Sequence, residues 1–76
     1  MRKVGISGLN FKTLGIVAKT NGVKQWELEK ITGLDSGEFR KAEYYGAELS
    51  EERAIEFCNK AGVEPEKYIV YDLADD

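Results

Sequence analysis

The side chains of this chain that could do chemistry gather in one stretch, residues 25–43. It carries Ser36, Arg40 and Lys41 at a spacing typical of a helix surface. Arginine can donate two hydrogen bonds to guanine, serine can donate or accept, and lysine can contact phosphate. Catalytic candidates are weaker, because the chain has no histidine and one cysteine, Cys58, which we expect to be a buried apolar residue. The pattern favours contact with nucleic acid over catalysis, and predicts no catalytic residue, no metal ligand and no cofactor.

Two short helices joined at Gly33 are predicted to position these side chains. Asp35 and Glu38 have the spacing of a capping box, which marks the start of the second helix. Phe39 and Ala42 then face inward at helical spacing, and this helix is predicted over about residues 35–43, with Tyr44 and Tyr45 in the turn that follows. Two helices joined by a short turn containing glycine form a helix-turn-helix, a unit whose second helix enters the major groove of DNA.

The rest of the chain supplies the framework for this unit. Helices are predicted to begin at the N-caps Asn10 and Ser50, and Pro65 suits the start of one more helical turn. The ends of the chain are less defined, because residues 1–9 fit a basic arm or a short strand and residues 68–73 fit a strand or the end of a fifth helix. We therefore predict one domain over residues 1–76, all-α with four to five helices, short β-strands being allowed at the termini and residues 72–76 forming an acidic tail.

Charge is divided unevenly along the chain, whose net charge is −3. Residues 1–42 hold eight basic and four acidic side chains, whereas residues 43–76 hold three basic and ten acidic ones. This division indicates a basic working face and an acidic remainder, and chance clustering with a solubilising tail is the alternative. The chain has no apolar run of membrane-spanning length and no signal-peptide block, so we expect a cytoplasmic protein without a membrane partner.

From Val23 to Tyr68 the sequence resembles the lambda-repressor-like, or XRE, helix-turn-helix family. The matching positions are Gln25, Leu28, Gly33, Leu34, Phe39 and Glu43, followed by the segment AIEFCNKAGVEPEKY. The resemblance implies a repressor-like transcriptional regulator of the kind found in phages and mobile elements, with double-stranded DNA as partner and a homodimer as its form. The segment TGLDSGEFRKAEYYG is also similar to MerR-type proteins, but that family begins almost at its helix-turn-helix, and here a whole helix precedes it.

The XRE resemblance implies a set of DNA-binding residues. Base edges and phosphates would be met by the second helix of the unit, and a phosphate by the start of the helix before it. The residues concerned are Gln25, Ser36, Gly37, Arg40 and Lys41. Basic residues near the N-terminus, Arg2, Lys3 and Lys12, are further candidates for phosphate contacts.

A different function remains open on the same scaffold. The predicted reading helix carries the acidic residues Asp35 and Glu38, and the whole chain is acidic. Both features also suit a protein-interaction module, such as an antirepressor or accessory subunit, that does not bind DNA. Trp26 lies off the apolar stripe of its helix, where it would cover the edge of the core or else form part of a protein contact.

Overall fold

A computed structural model of the protein describes residues 2–75, and its two ends pair as strands beside a helical body. Strand β1 spans Arg2–Leu9 and strand β2 spans Ile69–Ala74. Between them, in chain order, lie α1 (Phe11–Thr20), α2 (Gln25–Thr32), α3 (Ser36–Tyr45), α4 (Glu51–Ala61) and a 3-10 turn at Pro65–Lys67. Within residues 2–75, no helix has the length and apolar character that a membrane span requires.

The predicted all-α class is wrong, because β1 and β2 form an antiparallel sheet and the fold is mixed α and β, though largely helical. The paired residues include Leu9 with Ile69 and Ile6 with Tyr71. Residues 2–9 are therefore a strand and not an arm, and residues 72–74 of the predicted acidic tail belong to β2. Each strand has a partner sixty or more positions away along the chain. Local sequence patterns carry no information about such a pairing.

Three phenylalanines hold the helices together. The ring centroid of Phe11 on α1 lies 4.9 Å from that of Phe39 on α3 and 5.3 Å from that of Phe57 on α4. Both pairs meet edge to face, the geometry that aromatic rings prefer. Helix α4 packs against α1 and α2, and α1 packs against α3. Because Phe39 is fully buried in this cluster, the core directly fixes the position of α3.

The predicted helix ends are largely confirmed. The Ser50 hydroxyl accepts a hydrogen bond from the Arg53 N–H at 3.2 Å and so caps α4. Asn10 does precede α1, but its side chain makes no capping hydrogen bond. Asn21, at the end of α1, instead donates a side-chain hydrogen bond to the carbonyl of Ala61 at 2.8 Å. This bond ties the last turn of α1 to the last turn of α4.

Candidate nucleic-acid interface

The turn between α2 and α3 depends on Gly33. This residue has φ +74°, a left-handed conformation that glycine adopts without steric cost, and its N–H donates to the Glu29 carbonyl at 2.8 Å. A Cβ at this position would overlap the guanidinium of Arg53, which lies against the turn from α4. Glycine thus serves two purposes here, since it permits the backbone conformation and leaves room for Arg53.

Replacement of Gly33 by alanine is expected to destabilise the domain by about 1–2 kcal/mol, which is the cost of a left-handed conformation for an L-residue. The overlap with Arg53 should add little, because it involves the far end of a flexible side chain. Gly37→Ala is the matched control: Gly37 lies inside α3, and a Cβ there would approach only Asp35 Oδ1, at 3.5 Å. Alanine at Gly37 should stabilise the domain, by up to about 1 kcal/mol. Urea unfolding of both variants tests the pair, and equal effects would contradict the assigned turn.

The start of α3 is fixed by the capping box. The Glu38 N–H donates to Asp35 Oδ1 at 2.8 Å, and the Asp35 N–H donates to Glu38 Oε1 at 3.2 Å. This confirms the capping pattern predicted from sequence. It also gives both carboxylates a structural role, because each satisfies a backbone donor at the helix end. Their negative charges nevertheless remain beside Ser36 and Gly37.

The exposed face of α3 contains the four residues predicted on this helix. Phe39 and Ala42 are buried, whereas the four predicted residues Ser36, Gly37, Arg40 and Lys41 are exposed. Gly37 and Lys41 are four residues apart, which places them on the same side of the helix, opposite the buried pair. The geometry therefore brings the four together on one surface.

Tyr44 also belongs to this surface. The predicted turn at Tyr44 and Tyr45 is wrong, because both residues are helical. Helix α3 runs on to Tyr45 and ends at Gly46, whose N–H donates to the Ala42 carbonyl at 2.9 Å. Tyr44 follows Gly37 and Lys41 at helical spacing, and it is 75% exposed. That spacing could have identified it from the sequence alone.

Helix α1 contributes two further basic side chains beside α3. The Lys12 Nζ lies 6.0 Å from the centre of the Tyr44 ring, and the Lys19 Nζ lies 5.6 Å from the centre of the Phe39 ring. Sequence analysis named Lys12 only as part of an N-terminal group and did not identify Lys19. We call Lys12, Lys19, Arg40 and Lys41 the basic surface. Within residues 2–75 none of its members forms an ion pair.

Gln25 lies apart from this surface, half-buried at the first position of α2. In the described part of the chain, no hydrogen bond or ion pair joins its side chain to the residues predicted on α3. The same helix end holds a carboxylate, because the Lys24 N–H donates to Glu27 Oε2 at 2.8 Å. Glu27 also pairs with Lys60 at 3.4 Å. A phosphate at Gln25 would therefore meet a negative charge already in place.

The hydrogen bond from the Lys24 N–H, followed by the charge of Lys60, lowers the pKa of Glu27 below its usual value in spite of an opposing effect of burial. The carboxyl group of Glu27 therefore binds a proton more readily in the unfolded chain than in the folded one. Its contribution to stability is present above the unfolded pKa of about 4.5 and is lost as the pH falls through the lower folded pKa. We expect Glu27→Gln to lower the melting temperature at neutral pH. The difference from wild type should shrink steadily in acid, and a constant difference would contradict this role.

The residues that could carry other chemistry are poorly placed for it. Burial raises the pKa of the Cys58 thiol, with a further contribution from the charge of Glu66, so the thiol stays protonated near neutral pH. Among residues 2–75, no group of three or more histidine, cysteine or acidic side chains is arranged to hold a metal ion. Lys3 is occupied elsewhere, since it lies 4.2 Å from the Tyr71 ring centre and 3.6 Å from Glu66 Oε1.

Comparison of the chain with protein-family models, with curated proteins and with solved structures gave no significant match. The assignment of a function therefore depends on the geometry described above.

Proposed function

We propose that the protein is a sequence-specific DNA-binding regulator of transcription, of repressor type, that acts in the cytoplasm and inserts α3 into the major groove. The observation that carries the proposal is the exposed face of α3, whose opposite face is anchored in the core. Arg40 and Lys41 project from this face, and among residues 2–75 neither has an ion-pair partner. Major-groove readers present a few side chains of one helix in this way.

Rigid support of α3 favours recognition. The capping box fixes one end of the helix, the hydrogen bond from the Gly46 N–H closes the other, and Phe39 locks the middle into the aromatic cluster. A helix held at three points can present its outer side chains without ordering them on binding. Pre-organisation of this kind lowers the entropic cost of association.

The distribution of charge shifts the expected contacts along α3. Its N-terminal end carries the carboxylates of Asp35 and Glu38, which disfavour phosphate there. The basic surface lies further along α3, with Arg40 and Lys41 on the helix itself, Lys12 of α1 near Tyr44 and Lys19 of α1 near Phe39. We therefore assign base contact first to Arg40 and Lys41, with Tyr44 beside them. The role of Gly37 is to allow close approach of the DNA.

Salt dependence of binding tests this proposal. If Lys12 and Lys19 contact phosphates while Arg40 and Lys41 contact bases, the logarithm of the association constant should fall against the logarithm of salt concentration with a slope of about −2. Fluorescence anisotropy with a labelled duplex of mixed sequence, measured over a series of salt concentrations, gives this slope. Absence of binding at low salt, or a slope near zero, would overturn the proposal. If the duplex is bound with the expected slope, a library of random duplexes would identify the sequence that is recognised.

A protein-interaction module is the second candidate, and one observation favours it. Trp26 on α2 is 62% exposed, beside a groove of about 210 Å³ that Ile31 and Lys60 also line. Exposed tryptophan is typical of protein contacts. An affinity pull-down that recovers a partner with wild type but not with Trp26→Ala would support this function. Recovery of no partner, together with tight binding of DNA, would exclude it.

A further inference from the structure

The β-sheet at the chain ends is incomplete as it stands. Within residues 2–75 it consists of β1 and β2 alone, so each strand has one paired and one unpaired edge. An unpaired edge offers a row of backbone donors and acceptors to another strand.

The two unpaired edges are not equivalent. Both irregularities in the pairing insert an extra residue into β1, at Val4 and at Ser7, whereas β2 pairs continuously along its length. Bulges bend a strand and interrupt its edge, which hinders pairing with a further strand. Residues 47–49 also lie across a groove from residues 6–9 of β1. The edge of β2 is thus the regular one.

An apolar row on β2 extends beyond the helical body. Alternate residues share one face of a strand, so Ile69, Tyr71 and Leu73 point the same way. Ile69 is buried, Tyr71 is half-buried, and Leu73 is 55% exposed. The row therefore begins in the core and ends in solvent, which leaves an apolar side chain without a cover at its outer end.

We propose that β2 pairs antiparallel with β2 of a second copy of this chain, with Tyr71 opposite Tyr71. This register places Leu73 opposite the second copy's Ile69 and joins the two apolar rows into one face. Asp72 is then opposite Val70, an uncharged residue. The product is a four-stranded sheet in the order β1, β2, β2, β1, whose two halves are related by a two-fold axis.

Other registers of β2 are less favourable. A register centred on Asp72 sets two carboxylates directly opposite each other, which is destabilising. A register centred on Val70 places Leu73 opposite Lys67, so its side chain gains no apolar neighbour. A shift by one residue would put the apolar row of one copy on the face that carries Val70 and Asp72 in the other. The pairing does not depend on DNA binding, and it would hold if the chain bound only protein.

Sedimentation equilibrium at micromolar to millimolar protein concentration tests the pairing. The wild type should reach a dimer and go no further. Leu73→Asp should raise the dimer dissociation constant by at least about 100-fold, because each dimer loses two buried leucines. Ile16→Asp is the matched control, since Ile16 is equally exposed, at 55%, but lies on α1. A monomeric wild type, larger oligomers, or equal effects of the two variants would overturn the proposal.

Disulfide cross-linking checks the register even if Leu73→Asp fails to fold. The only native thiol, Cys58, is buried and should not cross-link. Tyr71→Cys should form a disulfide-linked dimer under mild oxidation, because the two introduced thiols lie directly opposite. Asp72→Cys should not, because the two-residue offset separates the thiols beyond disulfide reach. Efficient linkage through Asp72→Cys, or none through Tyr71→Cys, would contradict the register.

Discussion

Alanine at both Arg40 and Lys41 is expected to lower the affinity for duplex DNA by at least about 100-fold, because each such contact contributes about 1–3 kcal/mol. Both side chains are exposed on α3, and neither forms an ion pair within residues 2–75, so their removal breaks no ion pair of the described fold. Anisotropy titration at one fixed salt concentration measures the loss. Circular dichroism should show unchanged helicity.

A general effect of charge has to be separated from the effect of position. The double variant Lys60→Ala, Lys67→Ala removes an equal number of positive charges, one from α4 and one from the 3-10 turn. There the two side chains pair with Glu27 and Glu64. This control should weaken binding far less, since neither residue lies on α3. Similar losses in both double variants would show only non-specific attraction. Full retention of affinity by the variant with alanine at Arg40 and Lys41 would exclude α3 from the interface.

Phe39→Ala is expected to cost about 3–5 kcal/mol of folding free energy, a large part of the 5–15 kcal/mol that stabilises an ordinary domain. The side chain is fully buried, and its ring lies 4.9 Å from that of Phe11 and 6.4 Å from that of Phe57. Its removal leaves a cavity where all three helices of the cluster meet. Urea denaturation followed by circular dichroism gives the loss directly, and the variant should be largely unfolded at physiological temperature.

Two further substitutions calibrate this result. Phe39→Leu keeps most of the buried volume and should cost much less than alanine. Tyr45→Ala on the same helix removes a ring that is 88% exposed, and it should change stability by no more than about 0.5 kcal/mol. A Phe39→Ala variant as stable as Tyr45→Ala would contradict the anchoring of α3 by the aromatic cluster.

Features set by residues three or four apart were predictable from the sequence. The capping box of Asp35 and Glu38, the glycine at the turn and the burial of Phe39 and Ala42 each follow from such spacings, and the structure confirms them. The sequence allowed a strand at each end of the chain, but the pairing of the two strands was not predictable, because it joins residues sixty or more positions apart. The length of α3 was misjudged because Gly46, and not Tyr44, ends the helix.

The candidate site was predictable to the same extent. Spacing on one helix placed Ser36, Gly37, Arg40 and Lys41 on a common exposed face, while their contact with DNA stays a prediction. Lys12 and Lys19 join this face only through the packing of α1 against α3, a tertiary contact that the sequence does not encode locally. Gln25 was grouped with them by resemblance, and in the structure it lies on α2 beside Glu27.

An NMR titration of isotope-labelled protein with duplex DNA of random sequence, at low and then at moderate salt, tests the central claim most directly. The proposed function predicts salt-sensitive shifts of residues 36–44, accompanied by Lys12 and Lys19 on α1. Absence of shifts at low salt, or shifts confined to the surroundings of Trp26, would contradict insertion of α3 into DNA and would favour the protein-interaction module.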